Sequence, residues 1–418
     1  MPAEKKYRNS QVNKHKIIND PIYGFIRLND PLLFDLLEHP LVQRLREIRQ
    51  LGMSYLVYPG ATHSRLAHAL GAMHLMQQVT QILREKGVNI PHSTGISACA
   101  AILLHDVGHG PFSHALEHLI GGPVSHEFWT RVMMEQLNTE SGGALSEAIE
   151  IFEGGHPLPF LHQLVSSQLD VDRLDYLNRD SFFTGVSEGI VGWDRIIQMM
   201  HVHEGQLVVE EKGIYSVEKF LLARRLMYWQ VYQHKTVLSA EFLIRNIVER
   251  ARGLLQYGHN LPGSDALILL LKQNEAAAPG QQANLLSAYA ETDDHDFIAA
   301  VKEWRRSSDR ILSTLCGNLL GRRLGRIVFS NEAPDPARIA EIQNRIGQSY
   351  GISADDCRYF LGAGSIVNHA LRTDRQPILI LGKNGRVNEI TTASQNLHLK
   401  ALTGTVEKHY LYAPKDFL

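Results

Sequence analysis

The stretch AILLHDVGHGPFSHALEHL, residues 101–119, sets four histidines and an aspartate directly after a short apolar run. A histidine costs little to bury when one ring nitrogen is hydrogen-bonded. The ionised carboxylate of Asp106, beside His105, costs much more unless it is paired or binds a metal. We therefore interpret this stretch as part of a binding site whose other groups come from elsewhere in the chain.

The spacing of the histidines predicts a metal site. His105 and His109 lie four residues apart, so on a helix both rings face one side, with Asp106 on a neighbouring row. The glycines and the proline that follow break this helix, so we expect His114 on the next helix, with His126 within reach along the chain. Imidazole and carboxylate together suit divalent metals. The alternative is a surface helix end that carries histidines, which the glycine–proline break and the number of ligand-type residues disfavour.

An upstream segment, GATHSRLAHALGAMHLM at 60–76, carries another candidate ligand. His68 begins an apolar helix. Arg65 is placed to aim its guanidinium at an oxyanion near the metal, although a lone arginine is more often a surface charge. His74 lies about 240° further round the helix than His68 and is interpreted as a structural histidine.

A downstream segment, QLDVDRLDYLNRDSFFTG at 168–185, is too acidic for an ordinary core helix. Asp172 and Tyr176 fall on one side of this helix and can enter one site together. Asp175 is expected to pair with Arg179 at i,i+4, a structural role. An aspartate this far downstream, added to a histidine and a His-Asp pair, would give four protein ligands, enough to hold one metal with positions left open for water.

Composition excludes several classes of protein. The 418 residues suggest about two to three domains, and the formal net charge of −2 gives no global attraction to nucleic acid or anionic membrane. Three cysteines, far apart and odd in number, favour a reducing compartment over a disulfide scaffold. The first sixteen residues lack the apolar core of a secretory signal, and no apolar run approaches the ~20 residues that span a bilayer. We expect a cytoplasmic protein with no membrane association.

Hydrophobic periodicity predicts a mainly α fold with small β elements. A hairpin is expected at 16–28, helices from Pro31 to about Gln198, and a second hairpin at 206–215 that turns at Lys212–Gly213. A long helix follows from Val217 to about Leu254. The segment 273–284 is predicted to be a loop, and the C-terminal region mixes helices with a strand at 377–382 that turns at 383–385.

The sequence resembles the HD superfamily of metal-dependent phosphohydrolases, whose signature is a histidine, a later His-Asp pair and a distant aspartate. The segments NDPIYGFIRL, HPLVQRLREIRQLG, YPGATHSRLAHALG, LLHDVGHGPFSH and DVDRLDYLNRD are similar, in order and spacing, to the SAM-and-HD-domain deoxynucleoside triphosphate triphosphohydrolases and their bacterial relatives. The resemblance implies an HD-domain helical bundle. We expect a flexible N-terminus (1–15), an HD-type catalytic domain (16–255) and a mixed helical and strand C-terminal region (256–418).

The resemblance also implies roles for individual residues. The metal ligands are His68, His105, Asp106 and Asp172. The residues near the reacting phosphate are His109, His114, Glu117 and His126, with Glu117 standing where the family has an aspartate. The substrate contacts are Gln50, Leu51, Arg65, Arg173, Tyr176, Asp180, Arg224 and Tyr232, of which the arginines hold phosphates, Tyr232 closes against the 2′ position and the others contact the sugar.

Three functions remain open from the sequence. The first is hydrolysis of a deoxynucleoside triphosphate (dNTP) to deoxynucleoside and triphosphate, which needs a cation, an activated water, positive clamps and a proton source. The second is HD-type hydrolysis of another nucleotide, a phosphomonoester or a cyclic dinucleotide, and the third is a non-catalytic nucleotide-binding regulator. The ligand types accept Fe, Mn, Ni, Zn or Mg. The resemblance further implies a homo-oligomer, a dimer or tetramer, and admits a nucleotide effector.

Overall fold

The computed structural model describes residues 16–273, 282–368, 371, 376–394, 404 and 406–418. The expected flexible segment 1–15 lies outside these residues, as does 274–281, the greater part of the predicted loop at 273–284.

Helices make up most of the described chain. They are Pro31–Glu38 (α1), Pro40–Gln43 (α2), Arg65–Glu85 (α3), His92–Leu104 (α4), His126–Glu140 (α5), Ser146–Glu153 (α6), Pro159–Val165 (α7), Val171–Thr184 (α8), Trp193–Met199 (α9), Ile214–Met227 (α10), Lys235–Gln256 (α11), Asp265–Lys272 (α12), Gln282–Glu291 (α13), Asp294–Trp304 (α14), Arg310–Leu320 (α15), Pro336–Tyr350 (α16) and Ile390–Ala393 (α17). None of the described helices is both long and apolar enough to cross a bilayer.

The strands form three small sheets in the part of the chain that the structure describes. They are Lys16–Asp20 (β1), Gly24–Leu28 (β2), Met200–His203 (β3), Gln206–Glu210 (β4), Arg326–Ser330 (β5), Gly362–Asn368 (β6), Leu379–Leu381 (β7), Val387–Glu389 (β8) and Val406–Ala413 (β9). The sheet orders are β1-β2, β3-β4-β7-β8 and β5-β9-β6, with only the β4–β7 pair parallel. The mainly α fold with small hairpins and a mixed C-terminal region is confirmed.

Helix α3 is the centre of the fold and packs against α4 and α8. Most of its 21 residues are buried, and the side chain of Ser64 caps its first turn by accepting from the backbone N–H of Ala67. Helix α8 is capped in the same way by Asp170, which accepts from the backbone N–H of Arg173 at 2.8 Å. The three helices α3, α4 and α8 carry or directly precede all four candidate metal ligands, so their packing sets the site.

A buried ion network joins α3, α8 and the first hairpin. Arg179 donates to both carboxylate oxygens of Asp175, at 2.9 Å each, and to Asp20 at 2.8 Å. The expected pair of Asp175 and Arg179 is therefore confirmed. Gly71 of α3 faces this network, and a Cβ placed there would lie 2.0 Å from an Asp175 oxygen. Only glycine allows the two helices to approach this closely.

The predicted position of the turn in the second hairpin is wrong. Strand β4 is where it was expected, but it pairs with β3 on its N-terminal side. The turn is Glu204–Gly205, and both residues have positive φ, 49° and 77°, as a two-residue hairpin loop requires. Lys212 and Gly213 instead belong to a short 3₁₀ turn that leads into α10.

The predicted long helix from Val217 to Leu254 is interrupted. Helix α10 ends at Met227, a π-helical turn spans Tyr228–Tyr232, and α11 starts afresh at Lys235. The aromatic run YWQVY occupies the wider turn, and the ring nitrogen of His234 caps the new helix by accepting from the backbone N–H of Thr236 at 3.2 Å. A period of 3.6 cannot reveal such an interruption, since the apolar spacing on either side is still helical.

We predict that Gly71→Ala destabilises the fold by about 1–3 kcal/mol or more, because the new methyl group overlaps a buried ion network that cannot move aside. The matched control is Gly253→Ala in α11, where an added Cβ meets nothing within 4 Å. The control should gain about 0.5–1 kcal/mol from lower backbone entropy in the unfolded chain. Chemical unfolding checks both values, and equal stability of the two variants would contradict the close contact of α3 and α8.

Candidate metal centre

Three of the four candidate ligands bring their donor atoms together. The Nε2 atoms of His68 and His105 lie 3.4 Å apart, and Asp172 Oδ1 lies 3.1 Å from the first and 3.5 Å from the second. Two ligands bonded to one ion at about 2.1 Å, with about 90–110° between them, lie about 3.0–3.4 Å apart. These three residues therefore fit one divalent ion.

Asp106 approaches the same point from the other side. One carboxylate oxygen lies 3.3 Å from His105 Nε2 and the other 3.8 Å from His68 Nε2. The second oxygen also pairs with the guanidinium of Arg65, which is itself buried. The structure thus places Asp106 beside the group formed by His68, His105 and Asp172.

The remaining ring nitrogens of the two histidines are already hydrogen-bonded. His68 Nδ1 donates to Asp175 at 2.7 Å, and His105 Nδ1 donates to the carbonyl of Ile102 at 2.6 Å. With Nδ1 carrying the proton, both Nε2 atoms would be free to present lone pairs to an ion bound between them and Asp172. A hydrogen bond donated by the ring nitrogen that does not bind the metal usually orients a metal-binding imidazole in this way.

The negative charges around His68 favour a positive charge among the donor atoms of the candidate ligands. Burial opposes the imidazolium, but the hydrogen bonds and negative charges of Asp172 and Asp175 outweigh burial and raise the pKa of His68 to about 10. The pKa of Asp172 is held well below its usual range, because the hydrogen bonds from His105 and His68 outweigh burial. An ion held by the four ligands would supply the positive charge that this arrangement stabilises.

Asp175 has a role that the sequence analysis missed. It pairs with Arg179 as expected, but it also orients the imidazole of His68. Its position three residues after Asp172, on an adjacent row of the same helix, could have suggested this. The i,i+4 pairing of Asp175 with Arg179 gave no sign that Asp175 also contacts His68, 107 residues away in the sequence.

The expectation that His105 and His109 share one helix is wrong, because α4 ends at Leu104 and both histidines lie beyond it. Their rings still meet the same carboxylate, since His109 Nε2 is 3.4 Å from the Asp106 oxygen that faces His105. The chain leaves the helix here because Gly108 packs directly on α5, with room for no Cβ against the backbone of Thr130. His114 likewise lies in a short 3₁₀ turn, Ser113–Ala115, and not in a helix.

A second cluster, of His109, His114 and His126, lies beside the four ligands. The rings of His109 and His126 stack with centroids 3.9 Å apart, and the exposed ring of His114 meets both edge-on. Glu117 reaches two of them, accepting from His114 Nδ1 at 2.9 Å and His126 Nδ1 at 2.7 Å. Burial opposes ionisation of Glu117, but these bonds outweigh it and lower the pKa of its carboxyl group well below its usual range.

The wall opposite this cluster holds aromatic and acidic side chains. Tyr176 lies 6.4 Å from His68 and 6.1 Å from Tyr232, measured between ring centroids. The Tyr232 hydroxyl donates to Asp180 at 2.8 Å, and His63 donates to the other oxygen of Asp180 at 2.8 Å. Tyr176 is thus a neighbour of the candidate ligand His68, and it also adjoins Tyr232, whose hydroxyl contacts Asp180.

Several predicted substrate residues have buried polar atoms with no hydrogen-bond partner. In the described chain these atoms include Gln50 Oε1, Arg173 Nε, and both Nε and Nη1 of Arg224. Arg224 is only 5% exposed. Arg173 does pair with Asp170 through Nη1, and both arginines act on Tyr176, where their charges oppose the rise in the tyrosine pKa that burial causes. Buried guanidinium N–H groups without acceptors are costly, so an anionic ligand would satisfy them.

Two of the predicted substrate contacts, Arg65 and Leu51, are placed differently from Gln50, Arg173 and Arg224. Arg65 donates to Ser113 Oγ at 2.8 Å and pairs with Asp106, so its guanidinium is already engaged behind the ligand set. Leu51, next to Gln50, is half-buried against the hydrophobic core.

Comparison with known proteins agrees with this geometry. Residues 65–180 match the HD domain, and residues 191–254 match the HD associated region. An uncharacterized protein of Bacillus subtilis, YwfO, is 30% identical over 427 residues, covering 99% of this chain and 95% of that protein. Human deoxynucleoside triphosphate triphosphohydrolase SAMHD1 is 31% identical over 268 residues, covering 54% of this chain and 42% of the human protein.

A solved structure extends the similarity to the whole fold. The crystal structure of a phosphohydrolase from Bacteroides thetaiotaomicron superimposes with a TM-score of 0.91, at 44% identity, over 96% of this chain and 99% of that one. The matched HD domain begins at Arg65 and ends at Asp180, so it contains all four candidate ligands. The chain belongs to the HD-domain phosphohydrolase family.

Proposed function

We propose that this protein hydrolyses dNTPs to deoxynucleoside and inorganic triphosphate. The observation that carries the proposal is the set of buried, unpartnered guanidinium atoms of Arg173 and Arg224, beside a site that fits one metal ion. A triphosphate supplies the acceptors that these atoms lack. The similarity to SAMHD1 supports the substrate class, although this chain spans less than half of that protein's length.

The reaction would be attack of water on the α-phosphorus, with cleavage of the bond to the 5′ oxygen. His68, His105, Asp106 and Asp172 would hold the metal, and their nitrogen and carboxylate donors accept Fe, Mn, Ni, Zn or Mg. A bound divalent ion would polarise a phosphoryl oxygen and lower the pKa of water. Asp175 and the Ile102 carbonyl keep the two imidazoles oriented for this purpose.

His114 and Glu117 would provide the proton for the leaving group. The Glu117 carboxylate accepts from Nδ1 of His114, which fixes the orientation of the ring. The side chain of His114 is 69% exposed, so its Nε2 is open to a substrate. In the proposed step, His114 Nε2 donates a proton to the 5′ oxygen as the P–O bond breaks.

Tyr232 and Asp180 would select the sugar. The hydroxyl of Tyr232 is held by Asp180 at 2.8 Å, and the ring of Tyr176 stands edge-on to it at 6.1 Å. A hydroxyl held in this way leaves little room for a further oxygen on the 2′ carbon. The proposal therefore favours deoxyribonucleotides over ribonucleotides.

The first prediction of the proposed function concerns the product of the reaction. With a divalent metal and each of the four dNTPs, we expect deoxynucleoside and triphosphate in equal amounts, measured by ion-exchange chromatography. His105→Ala should reduce the rate at least about 10³-fold, because it removes a metal ligand. His74→Ala on α3 is the control and should retain activity, since its ring hydrogen-bonds Gln78 and packs on Tyr23 and is not a candidate metal ligand. Release of pyrophosphate or orthophosphate alone would contradict the proposal and favour another phosphohydrolase reaction.

A second prediction concerns the metal itself. Wild-type protein is expected to bind one divalent ion per chain at the four ligands, and Asp172→Asn should lose it. Asp175→Asn should weaken metal affinity about 10–100-fold, because the His68 ring loses its orienting carboxylate. Elemental analysis and competition with a chelator measure both effects. Full occupancy in Asp172→Asn would contradict the assignment of the ligands.

A third prediction tests the phosphate-binding role of Arg224. Arg224→Gln should raise the KM for dNTP about 10–100-fold, because a charged hydrogen bond is worth about 1.5–3 kcal/mol. Lys219→Gln replaces an exposed cation of the same helix and serves as the control. Steady-state kinetics at saturating metal separate KM from kcat. Equal KM values for the two variants would remove Arg224 from the substrate site.

A further inference from the structure

We propose that Asp294 and Tyr289, which lie outside both matched family regions, are positioning residues for the catalytic loop. We define this loop as residues 105–114, from the first His-Asp ligand to His114. The proposal rests on the proposed function, since it assigns these two residues an effect on the same reaction. It predicts that helices α13 and α14 complete an active site whose candidate ligands come from α3, from the segment that follows α4, and from α8.

The backbone of the catalytic loop is held by side chains from outside it. Arg44 donates to the carbonyl oxygens of Val107 at 2.8 Å and His109 at 2.6 Å. The hydroxyl of Tyr289 donates to the carbonyl between them, that of Gly108, at 3.0 Å. Three consecutive carbonyl groups are therefore held by side chains from outside the loop.

Tyr289 is rigidly placed for this contact. Its ring stacks on Trp129 with centroids 4.7 Å apart, and the guanidinium of Arg44 lies over the same ring at 5.4 Å from its centre. Gly110 packs so closely that a Cβ there would lie 2.7 Å from the tyrosine hydroxyl. The loop thus rests directly on this residue of α13.

Asp294 holds the other end of the loop and links it to a second segment. One carboxylate oxygen accepts from the backbone N–H of Phe112 at 2.8 Å, and the other accepts from the backbone N–H of Arg49 at 3.1 Å. The residue is 1% exposed and stands at the start of α14. Arg49 directly precedes Gln50, so a single carboxylate fixes the catalytic loop relative to a predicted substrate contact.

The conformation at Phe112 explains why such support is needed. Phe112 and Ser113 have φ values of 52° and 54°, left-handed for two consecutive non-glycine residues. Such a conformation costs about 1–3 kcal/mol for each residue and persists only where the surroundings enforce it. The hydrogen bond from Phe112 to Asp294, and the packing of the Phe112 ring on Phe297 at 5.5 Å, provide that enforcement.

The effect on chemistry would pass through Ser113 and His114. Ser113 Oγ accepts from Arg65, and Arg65 pairs with the ligand Asp106. His114 follows immediately and is the proposed proton donor. A displacement of about 1 Å in a catalytic group can cost about 10²-fold in rate. If Phe112 leaves its left-handed conformation, both groups move.

Asp294→Asn tests the proposal with no change in size. Asparagine has one acceptor oxygen, so its amide N–H₂ must face one of the two backbone N–H groups. We expect kcat for dNTP hydrolysis to fall about 10–100-fold, KM to change less than about threefold, and metal content to stay equal to wild type. Asp265→Asn in the first turn of α12, at an exposed position, is the matched control and should behave as wild type.

Tyr289→Phe provides a second variant should Asp294→Asn not fold. It removes one donor and keeps the stacked ring, and kcat should fall about 3–10-fold. Tyr257→Phe, at a position 86% exposed, is its control. A purely structural role would lower the melting temperature of either variant and leave kcat per folded molecule unchanged, a result that would overturn the proposal.

Hydrogen exchange of the loop separates this proposal from the proposed function. The Phe112 amide should exchange at least about 10-fold faster in Asp294→Asn than in wild type, whatever substrate the enzyme uses. Unchanged exchange would overturn the positioning role. Accelerated exchange in a protein whose wild type hydrolyses no dNTP would instead reject the proposed function and with it the effect on kcat.

Discussion

The structure depends on one electrostatic constraint: two buried imidazoles and two carboxylates point their donor atoms at one another. His68 and His105 bring their Nε2 atoms within 3.4 Å, and Asp172 lies 3.1 Å from the first. Such a cluster is unfavourable in a protein interior unless positive charge stands among the donors. The long central helix α3, the end of α4 and the first turn of α8 are packed so that this cluster forms.

The same constraint connects stability to the site. Asp175 orients His68 and also anchors Arg179, which reaches the first hairpin through Asp20. Gly71 lets α3 approach this network closely enough for the contacts to form. A change that loosens the α3–α8 contact should therefore disturb metal binding as well as folding, because one carboxylate serves both. The HD domain in this chain has no clear border between its core and its candidate metal site.

The closeness of His68, His105 and Asp172 was predictable from the sequence, because the family resemblance fixes the order and spacing of the motifs that carry them. The interrupted helix at Tyr228–Tyr232 and the β3–β4 turn were not predicted, since apolar periodicity does not distinguish a π-helical turn from a regular one. The contacts of Asp294 could not be predicted from the sequence for another reason. Its two backbone partners lie 182 and 245 residues away, and no local pattern encodes such a pairing.

The most direct measurement of the central claim is anomalous diffraction at the absorption edge of the metal found in the purified protein. We expect one strong peak in each chain, within about 2.0–2.3 Å of His68 Nε2, His105 Nε2 and an oxygen of Asp172. Asp106 should contribute the fourth protein donor. A crystal of active protein with no peak at this point, or with its only peak among His109, His114 and His126, would contradict the claim.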